Sequence, residues 1–198
     1  MGRVRNERRE GRNSPGHLLR GVALVGMMGA GKTAVGRVLA QRLAVPFLDS
    51  DAAIEEAAQA TIPEIFARDG EAFFRAREAE VIARLLSGPP AILSTGGGAF
   101  MQERVRELIR ESGVALWLDA DLATLWSRVR HRDTRPLLQT ADPHATLSAL
   151  YEQRVPVYAL AELHVKVAPH YSVNETADRA LTALAAREDI LKVEEDAP

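Results

Sequence analysis

Short apolar runs alternate along the chain with longer segments whose apolar residues recur at helical spacing. The apolar runs predict five buried strands, at 22–25, 45–51, 91–95, 114–119 and 163–167. The first segment between them, 34–43, predicts a helix with Val35, Val38, Leu39 and Leu43 on one face. Strands that alternate with helices predict an α/β fold, in which a central five-stranded parallel sheet is flanked by helices in three layers.

Local signals set several helix boundaries. Thr61 to Glu64 has the outline of a capping box with proline in the first turn, and Gly70 predicts a break before a longer helix at 71–86. Asp121 and Asn174 are predicted to cap the helices that follow the last two strands. Further helices are predicted at 52–58, 101–110 and 147–158.

The length of 198 residues and the hydrophobic fraction of 46% predict one domain with a substantial core. We place this domain at 20–187, including a lid segment at about 130–146. The arginine-rich start, 1–19, predicts a disordered extension, and 188–198 predicts a flexible tail. The alternative for the start is a basic arm that binds an anionic partner.

Composition narrows the classes of function. The formal net charge of −2 argues against nucleic acid as the partner, and the absence of cysteine excludes disulfides and zinc–thiolate sites. No apolar run approaches the roughly 20 residues of a membrane span, and the start lacks the apolar region of a secretory signal. The five histidines lack metal-ligand spacing. We expect a cytoplasmic monomer with small-molecule substrates and no membrane partner.

One stretch carries the strongest chemical signal, Gly26-Met27-Met28-Gly29-Ala30-Gly31-Lys32-Thr33. It matches the phosphate-loop pattern G-x-x-x-x-G-K-[S/T] between a predicted strand and a predicted helix. The glycines let backbone N–H groups face a phosphate chain, and the helix start adds its positive end. Lys32 would bridge the outer phosphates and the Thr33 hydroxyl would ligate Mg²⁺. A glycine-rich turn without a ligand would not call for lysine and threonine at these places.

Other chemical groups follow the ends of predicted strands. Asp49 and Asp51 end the second strand, and Gly96-Gly97-Gly98 follows the third. Because parallel strands present their carboxyl ends on one rim, these groups are expected to lie beside the phosphate loop. One acid could hold a Mg²⁺-bound water and the other an acceptor hydroxyl, or Asp51 could be only a helix cap. Asp119 is a second candidate for the metal role.

Arginines offer cations for anionic ligands. Arg75 could form a solvated salt bridge with Glu78 at i+3, or Glu78 could hold it toward an anionic substrate. The stretch from Arg128 to Arg135 contains four arginines and is a candidate for a loop that closes over a nucleotide. Arg154 stands alone before Val155-Pro156-Val157-Tyr158.

In this order, the motifs resemble the shikimate kinase family, in the nucleoside-monophosphate-kinase-like branch of the P-loop NTPase fold. The resemblance covers about 22–186. Besides the loop it rests on Phe47-Leu48-Asp49-Ser50-Asp51, Phe74-Arg75-Ala76-Arg77-Glu78, Gly96-Gly97-Gly98, Arg135-Pro136-Leu137-Leu138 and Arg154-Val155-Pro156-Val157-Tyr158. It implies separate substrate-binding and lid segments, and ATP-dependent phosphorylation of the 3-hydroxyl of shikimate on the route to chorismate and the aromatic amino acids.

The resemblance also implies roles for individual residues. Asp51 would orient or deprotonate the attacking hydroxyl, and Arg75 and Arg154 would clamp the shikimate carboxylate. The backbone of Gly96, Gly97 and Gly98 would line that pocket. Asp49 would support Mg²⁺ through water, which demotes Asp119. ATP would contact Gly29, Ala30, Gly31, Lys32, Thr33 and Ala34, with Arg128 on adenine and Arg135 reaching the phosphates from the lid.

Two further classes of function compete with this interpretation. A kinase of another small polyol, such as gluconate kinase, would use the same loop, but the glycine triplet and two spaced arginines argue against it. A nucleotide-binding switch without catalysis would be expected to lack acidic or basic residues on the rim, and they are present.

Overall fold

The predicted strands form one sheet in the computed structural model, which describes residues 16–130, 138 and 140–193. The strands in these residues are β1 (His17–Leu18), β2 (Gly21–Val25), β3 (Phe47–Asp49), β4 (Ile92–Ser94), β5 (Gly113–Ala120), β6 (Leu163–Val167) and β7 (Leu191–Lys192). The main sheet has the order β3-β4-β2-β5-β6, and each neighbouring pair is parallel. The predicted five-stranded parallel sheet is confirmed.

Helices flank this sheet. They are α1 (Lys32–Leu43), α2 (Ser50–Ala58), α3 (Ile62–Leu86), α4 (Glu103–Ser112), α5 (Leu122–Val129), α6 (Pro143–Tyr158) and α7 (Val173–Ala185), with a short 3-10 turn at Ala99–Met101. Helix α1 packs with α7, and α3 packs with α4. All eight residues of β5 are buried, so helices cover both faces of the sheet there. In the part of the chain described, no helix is long and apolar enough to cross a membrane.

Helix α3 contains the break predicted at Gly70, whose φ of 81° and ψ of 171° are not helical. Its start has the predicted capping box, because the Thr61 hydroxyl accepts from the Glu64 N–H and the Glu64 carboxylate accepts from the Thr61 N–H. Across the break, α3 and α2 share a small apolar cluster around Ile54, Ile65 and Phe74. This cluster supports the segment that carries Asp51 and Arg75.

Three helices begin earlier than predicted, each because a preceding polar residue caps it. Asp49 caps α2, so the helix starts at Ser50 and Asp51 lies in its first turn. Asp142 caps α6, so that helix starts at Pro143, four residues before the predicted start. The predicted Asn174 cap of α7 is wrong, since Ser172 caps that helix through a capping box with Glu175. The predicted Asp121 cap of α5 is confirmed.

Ordered structure extends past both predicted ends of the domain. Strands β1 and β7 pair antiparallel, with Leu18 opposite Leu191, and both leucines are buried in the main core. Strand β1 precedes residue 20 and β7 follows residue 187, so both lie outside the predicted domain. Of the predicted lid at about 130–146, residues 131–137 and 139 lie outside the described residues, and its last four residues form the start of α6.

Candidate active site

The carboxyl ends of β2, β3 and β4 meet around one open cleft of about 770 Å³. Its wall includes the phosphate loop from Met28 to Ala34, both predicted acids, Ser94, Gly97 and Arg128. Segments separated by up to about a hundred positions in sequence therefore share one rim, as parallel topology requires.

The phosphate loop depends on three glycines with positive φ, Gly26 at 136°, Gly29 at 85° and Gly31 at 98°. These angles disfavour residues that carry a Cβ atom. Gly31 is also the N-cap of α1, which has no side-chain cap and no acidic residue in its first turn. The first N–H groups of α1 thus face an electropositive position suited to a phosphate.

Two cations contact the backbone of the loop. Lys32 Nζ donates to the carbonyl oxygens of Gly26 at 2.7 Å and Met27 at 3.2 Å. Arg128 Nη1, from the end of α5, donates to those of Gly29 at 3.3 Å and Ala30 at 3.4 Å. The predicted nucleotide residues in the described part of the chain are therefore brought together, and both cations lie beside the phosphate loop.

Three oxygen-bearing side chains meet at the foot of the loop. Thr33 Oγ1 lies 3.4 Å from Asp49 Oδ2 and 3.4 Å from Ser94 Oγ. The other Asp49 oxygen accepts from the N–H groups of Asp51 and Ala52, so this one carboxylate caps α2 and faces the loop. Ser94 was missed by the sequence prediction, although it occupies the end of β4 and pairs in register with Asp49.

Asp119 does not join this group. Its carboxylate forms an ion pair with Lys166, its neighbour in register on β6. The ranking of Asp119 below Asp49 as a metal-supporting acid stays a prediction.

Asp51 also lines the cleft, two residues after Asp49. Burial is the main cause that raises the pKa of its carboxyl, the nearby charge of Asp49 raises it further, and Lys32 partly opposes the shift. Its carboxylate also lies against the glycine triplet, since a Cβ atom on Gly96 would be 2.5 Å from Asp51 Oδ1. Asp51 is therefore a partly buried carboxyl next to Gly96, where a side chain would crowd it.

Arg75 is held by acids on its own helix. Its guanidinium donates to Glu78 at 2.7 Å and to Glu71 at 3.3 Å. Glu78 is only 1% exposed and also accepts from Gln102 at 2.8 Å, and burial raises the pKa of its carboxyl. The pair is thus not a solvated bridge. A Cβ atom on Gly98 would lie 2.6 Å from the Arg75 guanidinium, so the arginine faces the glycine triplet.

Arg154 approaches the same triplet from α6. It is 9% exposed, and a Cβ atom on Gly97 would lie 3.5 Å from Arg154 Nη1. The Tyr158 hydroxyl, one turn further along α6, donates to the Gly97 carbonyl. Sequence reasoning singled out Arg154 but missed Tyr158, whose only signal was its place at the end of the Arg154 motif.

The cleft is also lined by the end of β6, the start of α7 and the segment between them. Val167, Tyr171, Val173 and Thr176 form this wall, and the Arg179 guanidinium lies 3.7 Å from the centre of the Tyr171 ring. The sequence prediction did not identify this wall. Arg135, the predicted lid arginine, lies outside the described residues.

A glycine loop ahead of α1 at the carboxyl edge of a parallel sheet, with acids and arginines facing it, defines a P-loop phosphotransferase. The family model described as shikimate kinase matches residues 28–185. The chain belongs to the shikimate kinase family, whose members are ATP-dependent kinases.

Individual relatives agree with this assignment. A shikimate kinase from Ruegeria pomeroyi is 65% identical over 172 residues, which cover 87% of this chain and 88% of the relative. One from Cereibacter sphaeroides is 58% identical over 193 residues, covering 98% and 96%. Among solved structures, a shikimate kinase from Acinetobacter baumannii in complex with shikimate has a TM-score of 0.81 at 37% identity, covering 86% of this chain and 95% of the other.

Proposed function

We propose that this chain transfers the γ-phosphoryl group of ATP to the 3-hydroxyl of shikimate, giving shikimate 3-phosphate for the synthesis of chorismate and the aromatic amino acids. The observation that carries the proposal is the position of Gly97. A Cβ atom there would be 3.5 Å from Arg154 Nη1 and 3.8 Å from the backbone nitrogen of Met28. Gly97 thus lies between the phosphate loop and Arg154, the arginine that would bind the carboxylate.

The nucleotide would bind along the loop. The N–H groups from Gly29 to Ala34 would hold the phosphates, Lys32 would bridge the outer ones, and Arg128 would pack on adenine. Arg135 would reach the transferring phosphate from the lid. The positive end of α1 and the charges of Lys32 and Arg135 would thus attract the negatively charged phosphates.

The acceptor would bind between the glycine triplet and the two arginines. Arg75 and Arg154 approach Gly98 and Gly97 from different helices, which suits two guanidinium groups on one planar carboxylate. Gly96, Gly97 and Gly98 would line the pocket with backbone, and Asp51 would hold the ring hydroxyls. With its carboxylate held by the arginines and its hydroxyls held by Asp51, shikimate would point its acceptor oxygen toward the phosphate loop.

In the reaction, a bond forms between the acceptor oxygen and the γ-phosphorus, and the bond from that phosphorus to the bridging oxygen of ADP breaks. The acceptor proton passes to the Asp51 carboxylate or to water. Because transition states of phosphoryl transfer are loose, a general base contributes little to the rate. Asp51 would therefore act mainly by orienting the hydroxyl. Lys32 and Arg135 would offset the charge that develops on the phosphates.

The residues at the foot of the loop fit Mg²⁺. Thr33, Asp49 and Ser94 present hard oxygen ligands, and the Thr33 oxygen lies 3.4 Å from each of the other two. Mg²⁺ prefers such ligands together with substrate phosphates. Thr33 would bind the ion directly and Asp49 through a water. When bound, Mg²⁺ neutralises charge on the β- and γ-phosphates.

A coupled assay of ADP release tests the proposal. Purified protein with ATP and Mg²⁺ is offered shikimate, quinate, gluconate and nucleoside monophosphates in turn. We expect turnover with shikimate and at most weak turnover with the others. No stimulation by millimolar shikimate would overturn the proposal, and preference for gluconate would favour the alternative polyol kinase.

We also propose that the enzyme acts in the cytoplasm as a monomer without nucleic acid or membrane partners. The near-neutral charge of −2 supports the absence of a polyanionic partner. Light scattering coupled to size-exclusion chromatography should give one species near 21.6 kDa. A species of twice that mass would contradict the monomer.

A further inference from the structure

Tyr158 lies between the two halves of the proposed site. Its side chain is fully buried, at 0% exposure, and its hydroxyl donates to the carbonyl oxygen of Gly97. It is also the residue four positions after Arg154 on α6, so the two side chains point the same way along the helix. A single tyrosine therefore reaches both the arginine and the glycine that the proposed carboxylate site uses.

The ring of Tyr158 is fixed by other aromatic side chains. Its centroid lies 6.2 Å from that of Trp117 on β5 and 6.5 Å from that of Phe100, in the 3-10 turn after the glycine triplet. Trp117 in turn lies against the phosphate loop, since a Cβ atom on Gly26 would be 3.3 Å from its ring. The hydroxyl of Tyr158 is thus held by packing that spans both sides of the cleft.

Electrostatics keep this hydroxyl a donor at physiological pH. Burial raises the pKa of Tyr158 to about 12, although the neighbouring Arg154 guanidinium lowers it in part. The hydrogen bond to Gly97 therefore persists over the pH range in which a kinase works.

We infer that Tyr158 is a positioning residue for the acceptor: its hydroxyl fixes the Gly97 backbone relative to Arg154 and thereby sets the width of the carboxylate pocket. The inference rests on the proposed function. Without the hydroxyl, the Gly97 carbonyl loses a buried donor, and the triplet loses its hydrogen bond to α6. The tyrosine itself need not touch either substrate.

The direct test replaces Tyr158 by phenylalanine, which keeps the ring and removes only the hydroxyl. We expect KM for shikimate to rise about tenfold, the order of effect of one lost buried hydrogen bond. KM for ATP should stay within about twofold, because the loop is unchanged. The matched control is Tyr151→Phe, on the same helix, whose hydroxyl forms no hydrogen bond within the described part of the chain.

Two readouts separate positioning from general loss of structure. The rise in melting temperature with saturating shikimate should shrink in Tyr158→Phe, and the rise with ATP analogue should not, even if the variant is less stable overall. In an Arg154→Ala background, Tyr158→Phe should add less than its own tenfold effect, because both changes act on one pocket.

Several results would overturn the inference. An equal rise in both KM values would indicate general damage, and a KM for shikimate matching that of Tyr151→Phe would show that the hydroxyl positions nothing. Wild-type enzyme is assayed alongside the variants to test the proposed function separately. If the wild type does not turn over shikimate, the proposed function is wrong, whatever the variants show.

Discussion

The nucleotide side and the acceptor side of the cleft are built in different ways. The proposed nucleotide side is one continuous stretch, Gly26 to Ala34, which would bind mainly through backbone N–H groups. The acceptor side gathers charged side chains from α2, α3 and α6 around the glycine triplet after β4. The first side is therefore specified by local sequence, whereas the second exists only once the helices have packed.

Glycine has a different purpose on each side. Gly31 has a φ of 98°, and a Cβ atom there would meet only ordinary contacts, so its glycine is needed for backbone conformation. Gly98 has an ordinary φ of −96°, but a Cβ atom there would lie 2.6 Å from the Arg75 guanidinium, so its glycine is needed for space. The same residue type thus shapes the loop on one side and admits an arginine on the other.

The acceptor side also holds two carboxyl groups whose pKa values are raised. Burial is the largest cause that raises the pKa of both Asp51 and Glu78. The charge of Asp49 raises the pKa of Asp51 further, and the charge of Asp51 raises that of Glu78. Such groups bind a proton more tightly in the folded state. The stability they contribute is full below the ordinary carboxyl pKa and is lost as the pH rises through the raised one. At neutral pH the ionised forms of these two acids therefore lower the stability of the fold.

The largest expected effect comes from Asp51→Asn. We expect kcat to fall by about 10²- to 10³-fold, in the range of acid–base and orienting groups, with little change in ATP binding. Because the change removes a buried charge whose pKa is raised, the melting temperature at pH 7 should rise. Steady-state kinetics, ATP-analogue titration and thermal unfolding measure the three quantities. Weaker ATP binding in step with kcat would place Asp51 on the nucleotide side.

The pH profile of the wild type tests the same carboxyl. Since the pKa of Asp51 is raised, kcat/KM for shikimate should begin to fall, on acidification, at a pH above the ordinary aspartate value of about 3.9. Assays at constant ionic strength across the acidic range check this. An acidic limb at or below the ordinary value would mean that Asp51 need not be ionised.

Paired glycine substitutions separate the two sides. Gly31→Ala should raise KM for ATP about tenfold through the cost of a left-handed backbone, with KM for shikimate unchanged. Gly98→Ala should do the reverse, because the added methyl group displaces Arg75. Each variant is the control for the other in one assay. A rise of both KM values in either variant would mean that the two sides are not separable.

A smaller effect is expected from Asp49→Asn. Asparagine retains the cap of α2, since it is as good an N-cap as aspartate, but removes the charge that faces Thr33. The Mg²⁺ concentration for half-maximal activity should rise about three- to tenfold, with stability preserved. Magnesium titration at fixed ATP measures it, and an unchanged requirement would remove Asp49 from the metal site.

The fold was largely predictable because its signals are local. Apolar runs, the phosphate loop and caps such as Thr61 and Asp121 act within a few residues, and the five parallel strands followed from them. Errors arose where two polar residues competed for one cap, as with Ser172 and Asn174. The pairing of β1 with β7 was missed because it joins two-residue strands from opposite ends of the chain.

The site was only partly predictable. Asp49, Asp51 and the triplet could be placed on one rim by topology alone. Ser94 and the wall around Tyr171 belong to no motif, and Tyr158 only ends the Arg154 motif, so the positions of these residues follow from strand register and helix packing. For Arg75, sequence left a surface bridge and a held guanidinium equally open, and only the burial of Glu78 distinguishes them.

Arg154 tests the central claim, that the acceptor side recognises a carboxylate, most directly. Within the described ranges it pairs with no carboxylate, unlike Arg75 with Glu78, so its removal leaves no buried acid unpaired. The measurement is KM of Arg154→Ala and wild type for shikimate and for an analogue without the carboxylate. We expect KM for shikimate to rise about a hundredfold, with kcat nearly constant and the analogue barely affected. An equal loss for both compounds would contradict the claim.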